Sequence, residues 1–301
     1  MTSSTAGLVP GPMPGTSTSS SARRPGRHGF WPDVVRVVVV FALLAATLFP
    51  LYFMVVTSLK SQYDLSRNYF LPPQFGVLLS NWLEVLPVIA QPVLNSLIVS
   101  LGTVLLVLLL VTPLAYAFTW HRFPGKEALF SVVIVTIMLP SILIFVPQFI
   151  LVRDLGLLDT HMAVILPGTA ASIGVTAFLL RSFFAALPVE LVEAARVDGA
   201  SELQILLRVI LPLSVPSLVT VSVLILVSAW NNFLWPLVVL PSSANRVASV
   251  AVTYFAGNPI LGSDFPLLVA AYLVSSLPLI VILGGLLRYF MAGALGSAVK
   301  G

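Results

Sequence analysis

Six stretches of this chain, roughly 34–57, 95–119, 128–152, 162–184, 209–235 and 267–290, are long and apolar enough to cross a lipid bilayer. A spanning helix needs about 20 mostly apolar residues, because the hydrocarbon offers no water to an unpaired backbone N–H or C=O. No other feature limits the fold so strongly. Composition agrees: 58% of the residues are hydrophobic and 9% charged, where a soluble domain carries about 25% charged residues. The expected fold class is an all-α integral membrane protein with six transmembrane helices, its membrane domain covering 30–290.

Basic residues set the orientation, since cytoplasmic loops retain Lys and Arg. With the N-terminus inside, the inner segments hold Arg23, Arg24, Arg27, Arg36, Arg122, Lys126, Arg181, Arg196, Arg208, Arg288 and Lys300. Only Lys60, Arg67, Arg153 and Arg246 fall outside, which completes the fifteen basic residues. Both termini are thus expected in the cytoplasm (N-in/C-in). The net charge of +4 then reflects topology and does not call for nucleic acid. Residues 1–29, rich in Ser, Thr, Gly and Pro, read as a disordered cytoplasmic tail. They do not read as a cleavable signal peptide, because the apolar run after them is too long. Residues 291–301 read as a second cytoplasmic tail.

No Asp, Glu or Lys sits at the centre of a span, so the chain lacks the buried relay that ion-driven transporters carry. Uphill transport would draw its energy from another polypeptide. With no cysteine, thiolate metal sites and Cys nucleophiles are excluded. Pro113, Pro140, Pro147, Pro167, Pro216 and Pro278 lie in or beside apolar runs, where each removes a donor and permits a kink.

Between spans four and five the chain turns polar. Four of its eleven acidic residues (Glu190, Glu193, Asp198, Glu202) fall in this segment. Pro188 suits the first turn of a helix, and Glu190 beside it complements the helix dipole. Gly199 offers a left-handed stop, and Ser201 with Gln204 forms a capping-box start for a second helix. Leu203, Leu206, Leu207 and Ile210 come next at i, i+3, i+4, i+7, an apolar face. Two short helices with a tight turn are expected at the inner membrane face. Ala194, Ala195 and Ala200 keep the surface low, so that another protein's backbone can approach. By pattern alone, a hairpin that merely links two spans along the interface stays open. Four acids beside the turn argue against a DNA-reading helix-turn-helix, because they would repel phosphate.

This segment resembles a known signature. Glu193-Ala194-Ala195, then Gly199 three residues after Arg196, then Leu211-Pro212, are similar to the EAA loop of permease subunits in bacterial ABC importers, here 187–212. Val209 departs from the usual Ile. The run Leu-Pro-x-Glu-Leu-x-Glu-Ala-Ala-x-x-Asp-Gly-Ala resembles the carbohydrate branch, the maltose/glycerol-phosphate-type permeases. Further agreement lies in Asn95-Ser96-Leu97, Pro113-Leu114-Ala115-Tyr116-Ala117, Gly156-Leu157-Leu158-Asp159-Thr160, Trp230-Asn231-Asn232-Phe233 and the end from Ala292-Gly293 to Val299-Lys300-Gly301. The resemblance covers residues 34–301.

The resemblance implies that the EAA loop docks in a groove of a separate ATP-hydrolysing subunit. Glu190, Glu193, Ala194, Ala195, Asp198, Gly199 and Ala200 are the contact residues it implies. It also implies a second permease, an ATPase dimer that binds the ATP, an extracytoplasmic solute-binding protein and a sugar as solute, in the bacterial cell membrane. The C-terminal tail would reach towards the ATPase dimer interface. The chain itself has no phosphate loop and is expected to hold no cofactor or metal and to catalyse nothing. Gly284-Gly285 reads as close helix packing. Candidate solute-pathway residues are Asn95, Gln148, Thr176, Trp230, Asn231 and Asn232, with Ser96, Ser172, Ser222, Ser228, Tyr272 and Ser275 beside them, because a sugar path needs polar groups and aromatic faces. The alternatives are an importer permease for a non-sugar solute and a self-sufficient secondary transporter.

Overall fold

Helix is the only regular secondary structure among the described residues, as backbone in hydrocarbon requires. The computed structural model describes residues 30–74, 76–77, 79–258 and 263–298. The tail expected over 1–29, and 299–301 of the C-terminal tail, lie outside them. The elements are α1 (Phe30–Ser58), α2 (Gln62–Arg67), α3 (Ser80–Trp120), α4 (Lys126–Met138), α5 (Ser141–Asp154), α6 (Met162–Ala185) and α7 (Val189–Val197). After these come α8 (Glu202–Ile205), a π-turn (Leu206–Ile210), α9 (Leu211–Leu213), α10 (Val215–Asn231), α11 (Leu234–Val239), α12 (Ala248–Ala256) and α13 (Phe265–Ala298). The chain divides into two units between Pro50 and Leu51, within α1. The first is apolar helix from Phe30 onwards. The second holds the hydrophobic cores and the clefts.

Span four matches its expected bounds. Four helical stretches, Val35–Ser58, Ser80–Trp120, Met162–Ala185 and Phe265–Leu286, are each able to cross a membrane, and two bent pairs raise the total to six if each pair crosses once. Span three is not one continuous helix. It breaks between α4 and α5 with a bend of 98°. Pro140 has no N–H to continue α4, and its ring drives Leu139 into the extended conformation (φ −75°, ψ 118°). Span five is likewise interrupted, by an 80° bend at Ser214 and by a second break after Asn231. Span two is longer than expected, because α3 begins at Ser80 and tolerates Pro87 and Pro92. The helix of span six carries on through Ala298, so the backbone of 291–298 extends α13.

The long helix α3 is the axis of the second unit and packs against α6, α10 and α13. In lipid such association comes from close packing, since the hydrocarbon is as apolar as the side chains. Towards the C-terminal end of α3, Val111, Ala115, Tyr116 and Phe118 pack with Leu180, Phe184, Val192, Ile205 and Ile210. Towards its N-terminal end, Val85, Ile89 and Val93 pack with Trp230, Val252, Phe255, Ala270 and Ala271. Contact between α4 and α6 depends on Gly174. A Cβ there would lie 2.5 Å from Thr136 Oγ1 and 3.0 Å from the Val133 carbonyl oxygen. The close packing expected of Gly284 and Gly285 is not seen, because a Cβ at either would meet nothing within 4 Å.

Candidate coupling hairpin and candidate solute cleft

The polar segment folds into two short helices joined by a sharply defined turn. Pro188 stands one position ahead of the expected first turn, as the N-cap residue of α7. At the other end of α7, Gly199 takes φ +79°, a conformation glycine adopts without a Cβ penalty. Its amide donates to the Arg196 carbonyl (3.1 Å), and the Ala200 amide donates to the Ala195 carbonyl (3.0 Å). These two bonds define a Schellman stop and satisfy carbonyls that the helix end would leave open. Ser201 then caps α8. Its Oγ accepts from the Gln204 amide (3.4 Å), and Gln204 Oε1 accepts from the Ser201 amide (2.8 Å). Both ends of the turn are therefore fixed by reciprocal hydrogen bonds.

The apolar face of the second helix differs from the expected one. Ile205, Leu206 and Ile210 are buried, whereas Leu203 and Leu207 are 64% and 51% exposed. The π-turn explains the change, because i→i+5 bonding brings residues five apart onto one side. The alanines divide too. Ala195 and Ala200 are half-buried against the core with Val192, while Ala194 faces outward with Glu190, Glu193, Val197, Asp198 and Gly199. Among the described residues, Glu190, Glu193 and Asp198 form no ion pair.

Glu202 is different. Its Oε1 accepts from Arg196 Nε (3.0 Å), and its Oε2 accepts from the Tyr116 hydroxyl and from Arg196 Nη2 (3.3 Å). His121 Nε2 stands 3.6 Å from Oε2. Lying outside the apolar runs, the Glu202 carboxyl is held below the usual carboxylate range, first by the Arg196 hydrogen bonds and then by Tyr116. The same pairing raises the Arg196 guanidinium. One carboxylate thus ties α7 and α8 to the end of α3. Nothing in the spacing of Tyr116, Arg196 and Glu202 signals this contact, which spans 86 residues of chain between Tyr116 and Glu202.

Towards the N-terminal end of α3, the Trp230–Phe233 break opens a cleft of about 360 Å³. Asn232 leaves the helix in an extended conformation (φ −66°, ψ 120°), and its carbonyl accepts from Ser249 Oγ (2.8 Å). Trp230 and Phe233 give the cleft aromatic faces, and Asn231, Ser249, Thr253, Tyr272, Ser275 and Ser276 give it polar groups. Among the described residues, Ser275 Oγ is buried without a partner. The sequence reading missed Ser276, next to the expected Ser275, and Ser249 and Thr253. The latter two stand four apart on α12, a helix too short to register as a span, and that spacing is their only signal.

The other pathway candidates lie elsewhere. Thr176, with Ser172 and Ser228, borders a smaller cavity of about 170 Å³. Gln148 borders an apolar one of about 400 Å³ beside Pro147, Leu151 and Pro167, larger than the cleft but poorly matched to a hydroxylated solute. Asn95 is buried, and its Nδ2 donates to the carbonyls of Ala244 and Arg246, both at 2.8 Å. Ser96 Oγ accepts from the Ala248 amide (2.8 Å), and Ser222 Oγ donates to its own helix at Leu218 (2.7 Å). Asn95 and Ser96 together hold the segment that leads into α12.

Other proteins resemble this chain in sequence and in fold. The chain is 36% identical over 207 residues to the arabinooligosaccharides transport system permease protein AraQ of Halalkalibacterium halodurans, covering 69% of this chain and 73% of that protein. It is 29% identical over 272 residues to the melibiose/raffinose/stachyose import permease protein MelC of Bacillus subtilis, covering 89% and 97%. Among solved structures, a bacterial ABC transporter involved in the import of the acidic polysaccharide alginate matches with a TM-score of 0.77 at 25% identity, covering 86% of this chain and 96% of that chain. The MetNI methionine ABC transporter shares the fold, with a TM-score of 0.53 at 18% identity over 69% of this chain and 97% of that one. Residues 110–300 match the model of the binding-protein-dependent transport system inner membrane component, and the chain belongs to that family of membrane-embedded ABC importer permeases.

Proposed function

We propose that this chain forms half of the translocation pathway of an ATP-driven importer for a sugar or sugar-like solute. The hairpin of α7 and α8 is its contact with the ATPase, through Glu190, Glu193, Ala194, Asp198 and Gly199, with Ala195 and Ala200 seating it on the core. The observation that carries this reading is the hairpin's construction. A turn closed by a Schellman stop and a capping box, with unpaired acids outward and a packed face inward, can transmit a displacement that a loose loop would absorb. Closure of an ATPase dimer against it would move the helices as rigid bodies. ATP would be bound and hydrolysed by two partner subunits, and a second permease and an extracytoplasmic binding protein would complete the complex.

The topology that goes with this role has six crossings with both ends in the cytoplasm, which the distribution of Lys and Arg supports. A reporter joined after Lys300 that is active only outside the cell would overturn it. The sugar assignment draws on the named solutes of AraQ and MelC and on a cleft that pairs aromatic faces with hydroxyls and an amide. The deciding experiment assembles the four kinds of subunit in proteoliposomes and measures uptake of radiolabelled oligosaccharides. Uptake that needs ATP and the binding protein is expected, and uptake in the absence of ATPase subunits would refute the proposal.

A further inference from the structure

Three elements distant in sequence meet at the carboxylate of Glu202, and only two of them belong to the hairpin. The covalent connections of the hairpin are both irregular. Before it, Ala186, Leu187 and Pro188 form a turn. After it come a π-turn, the three residues of α9 and the 80° bend at Ser214, features at which helices give way. Beside the apolar packing of Val192, Ile205 and Ile210 on the core, the polar contact with the bundle is made through space, to α3.

We propose that Glu202 is the positioning residue that joins the hairpin to α3, so that a push on the hairpin moves α3 instead of flexing its linkers. The inference rests on the coupling role proposed above. Glutamate suits the task because it offers two acceptor oxygens. Oε1 is taken by Arg196 and Oε2 by the Tyr116 hydroxyl and a second Arg196 nitrogen, so the hairpin and α3 are held by the same group. Such charge-assisted bonds are among the stronger ones a side chain can make. The load then has somewhere to go. Asn95 and Ser96, 21 and 20 residues before Tyr116 on α3, hold Ala244, Arg246 and Ala248 at the opposite end. At 1.5 Å per residue the separation is about 30 Å. Ala248 opens α12, whose Ser249 and Thr253 line the cleft. One helix therefore runs from the joint to the wall of the cleft.

The chain contains no cysteine, so a spin-label pair can be introduced cleanly at Leu109 on α3 and Leu207 beside the joint, both exposed. The L109C/L207C separation is measured in the assembled complex, with and without a non-hydrolysable ATP analogue, alone and combined with Glu202→Gln or Tyr116→Phe. With the joint intact the separation should stay constant within about 2 Å, the scale of a helix shift. In either variant it should change with nucleotide, and uptake per ATP hydrolysed should fall about tenfold, the scale of one lost charged hydrogen bond, while the ATPase subunits still co-purify. Tyr116→Phe removes one hydroxyl and no volume from the core, so it decides the matter if Glu202→Gln fails to insert. Unchanged separation and coupling in Tyr116→Phe would overturn the joint. If at the same time Gly199→Val abolishes coupling, the hairpin's role stands without it. Wild-type transport by Gly199→Val would overturn the coupling role and the joint with it.

Discussion

The carbonyl of Ala195 accepts a hydrogen bond from the amide of Ala200 at 3.0 Å, across a turn that only the positive φ of Gly199 permits. A β-branched residue in that conformation costs on the order of 1–2 kcal/mol or more. Gly199→Val should therefore misalign α7 and α8 while the membrane helices still insert. Solute uptake should be lost, with ATP hydrolysis uncoupled or the ATPase subunits released, as co-purification and uptake assays would reveal. Gly199→Asn, which tolerates the left-handed region, should retain most of the uptake. No atom lies within 4 Å of the added Cβ, so the difference between the two variants reports backbone conformation and not crowding.

At Gly174 the constraint is space. A methyl group there would lie 2.5 Å from Thr136 Oγ1 and 3.0 Å from the Val133 carbonyl oxygen, and backbone cannot swing aside as a side chain can. Gly174→Ala should cost about 1–3 kcal/mol, as overpacking does elsewhere. Thermal unfolding in detergent should show a lower midpoint than wild type. Gly285→Ala, with open space around the new atom, should leave the midpoint unlowered or slightly raised, because Ala favours the helix.

Asn95 should behave as a clamp. Replacing it by Ala removes the donor shared by the Ala244 and Arg246 carbonyls, and hydrogen bonds of this kind contribute about 0.5–1.5 kcal/mol each. The 241–246 segment should become sensitive to limited proteolysis. Half-maximal uptake should move to higher solute concentration, because α12 is no longer held against the cleft. An unaltered digestion pattern would show that other contacts suffice, among them Ser242 Oγ donating to Asp159 Oδ1 (2.8 Å).

Within the cleft, Asn231 donates its own amide to the Val227 carbonyl (2.9 Å), which leaves the side-chain oxygen for a solute hydroxyl. Asn231→Leu should weaken half-saturation for uptake by about tenfold, the scale of one lost hydrogen bond to a buried solute, with assembly and ATPase binding intact. Thr176→Val, at the separate smaller cavity, is the comparison. An equal effect there would extend the solute path along α6.

The features legible in the sequence arise from short-range chemistry. The hairpin was legible because Gly199, Ser201 and Gln204 each act on backbone atoms within six residues, and span four because its helix continues through Pro167 without a break. The 98° bend was half-legible. Pro140 announces a break, but the angle depends on how α5 packs beyond it. The start of α3 was hidden by Asn81, Glu84, Pro87, Gln91 and Pro92, whose polarity suggests a loop. The structure buries Asn81 instead, its amide donating to the carbonyls of Ser58 and Lys60, both at 2.9 Å. Contacts such as Tyr116 with Glu202, or Asn95 with Arg246, join residues 86 and 151 positions apart. No periodicity encodes them.

The length of α3 sets a further condition. Its 41 residues extend about 60 Å at 1.5 Å per residue, twice a hydrocarbon layer of about 30 Å. Membrane helices tilt by about 0–40°, and even the steepest of these leaves roughly 15 Å of α3 beyond the hydrocarbon. If that excess falls at the N-terminal end, the polar knot where Asn81 meets Ser58 and Lys60 stands at headgroup level or beyond. A thicker or thinner host membrane would then change the height of that knot without unseating the helix.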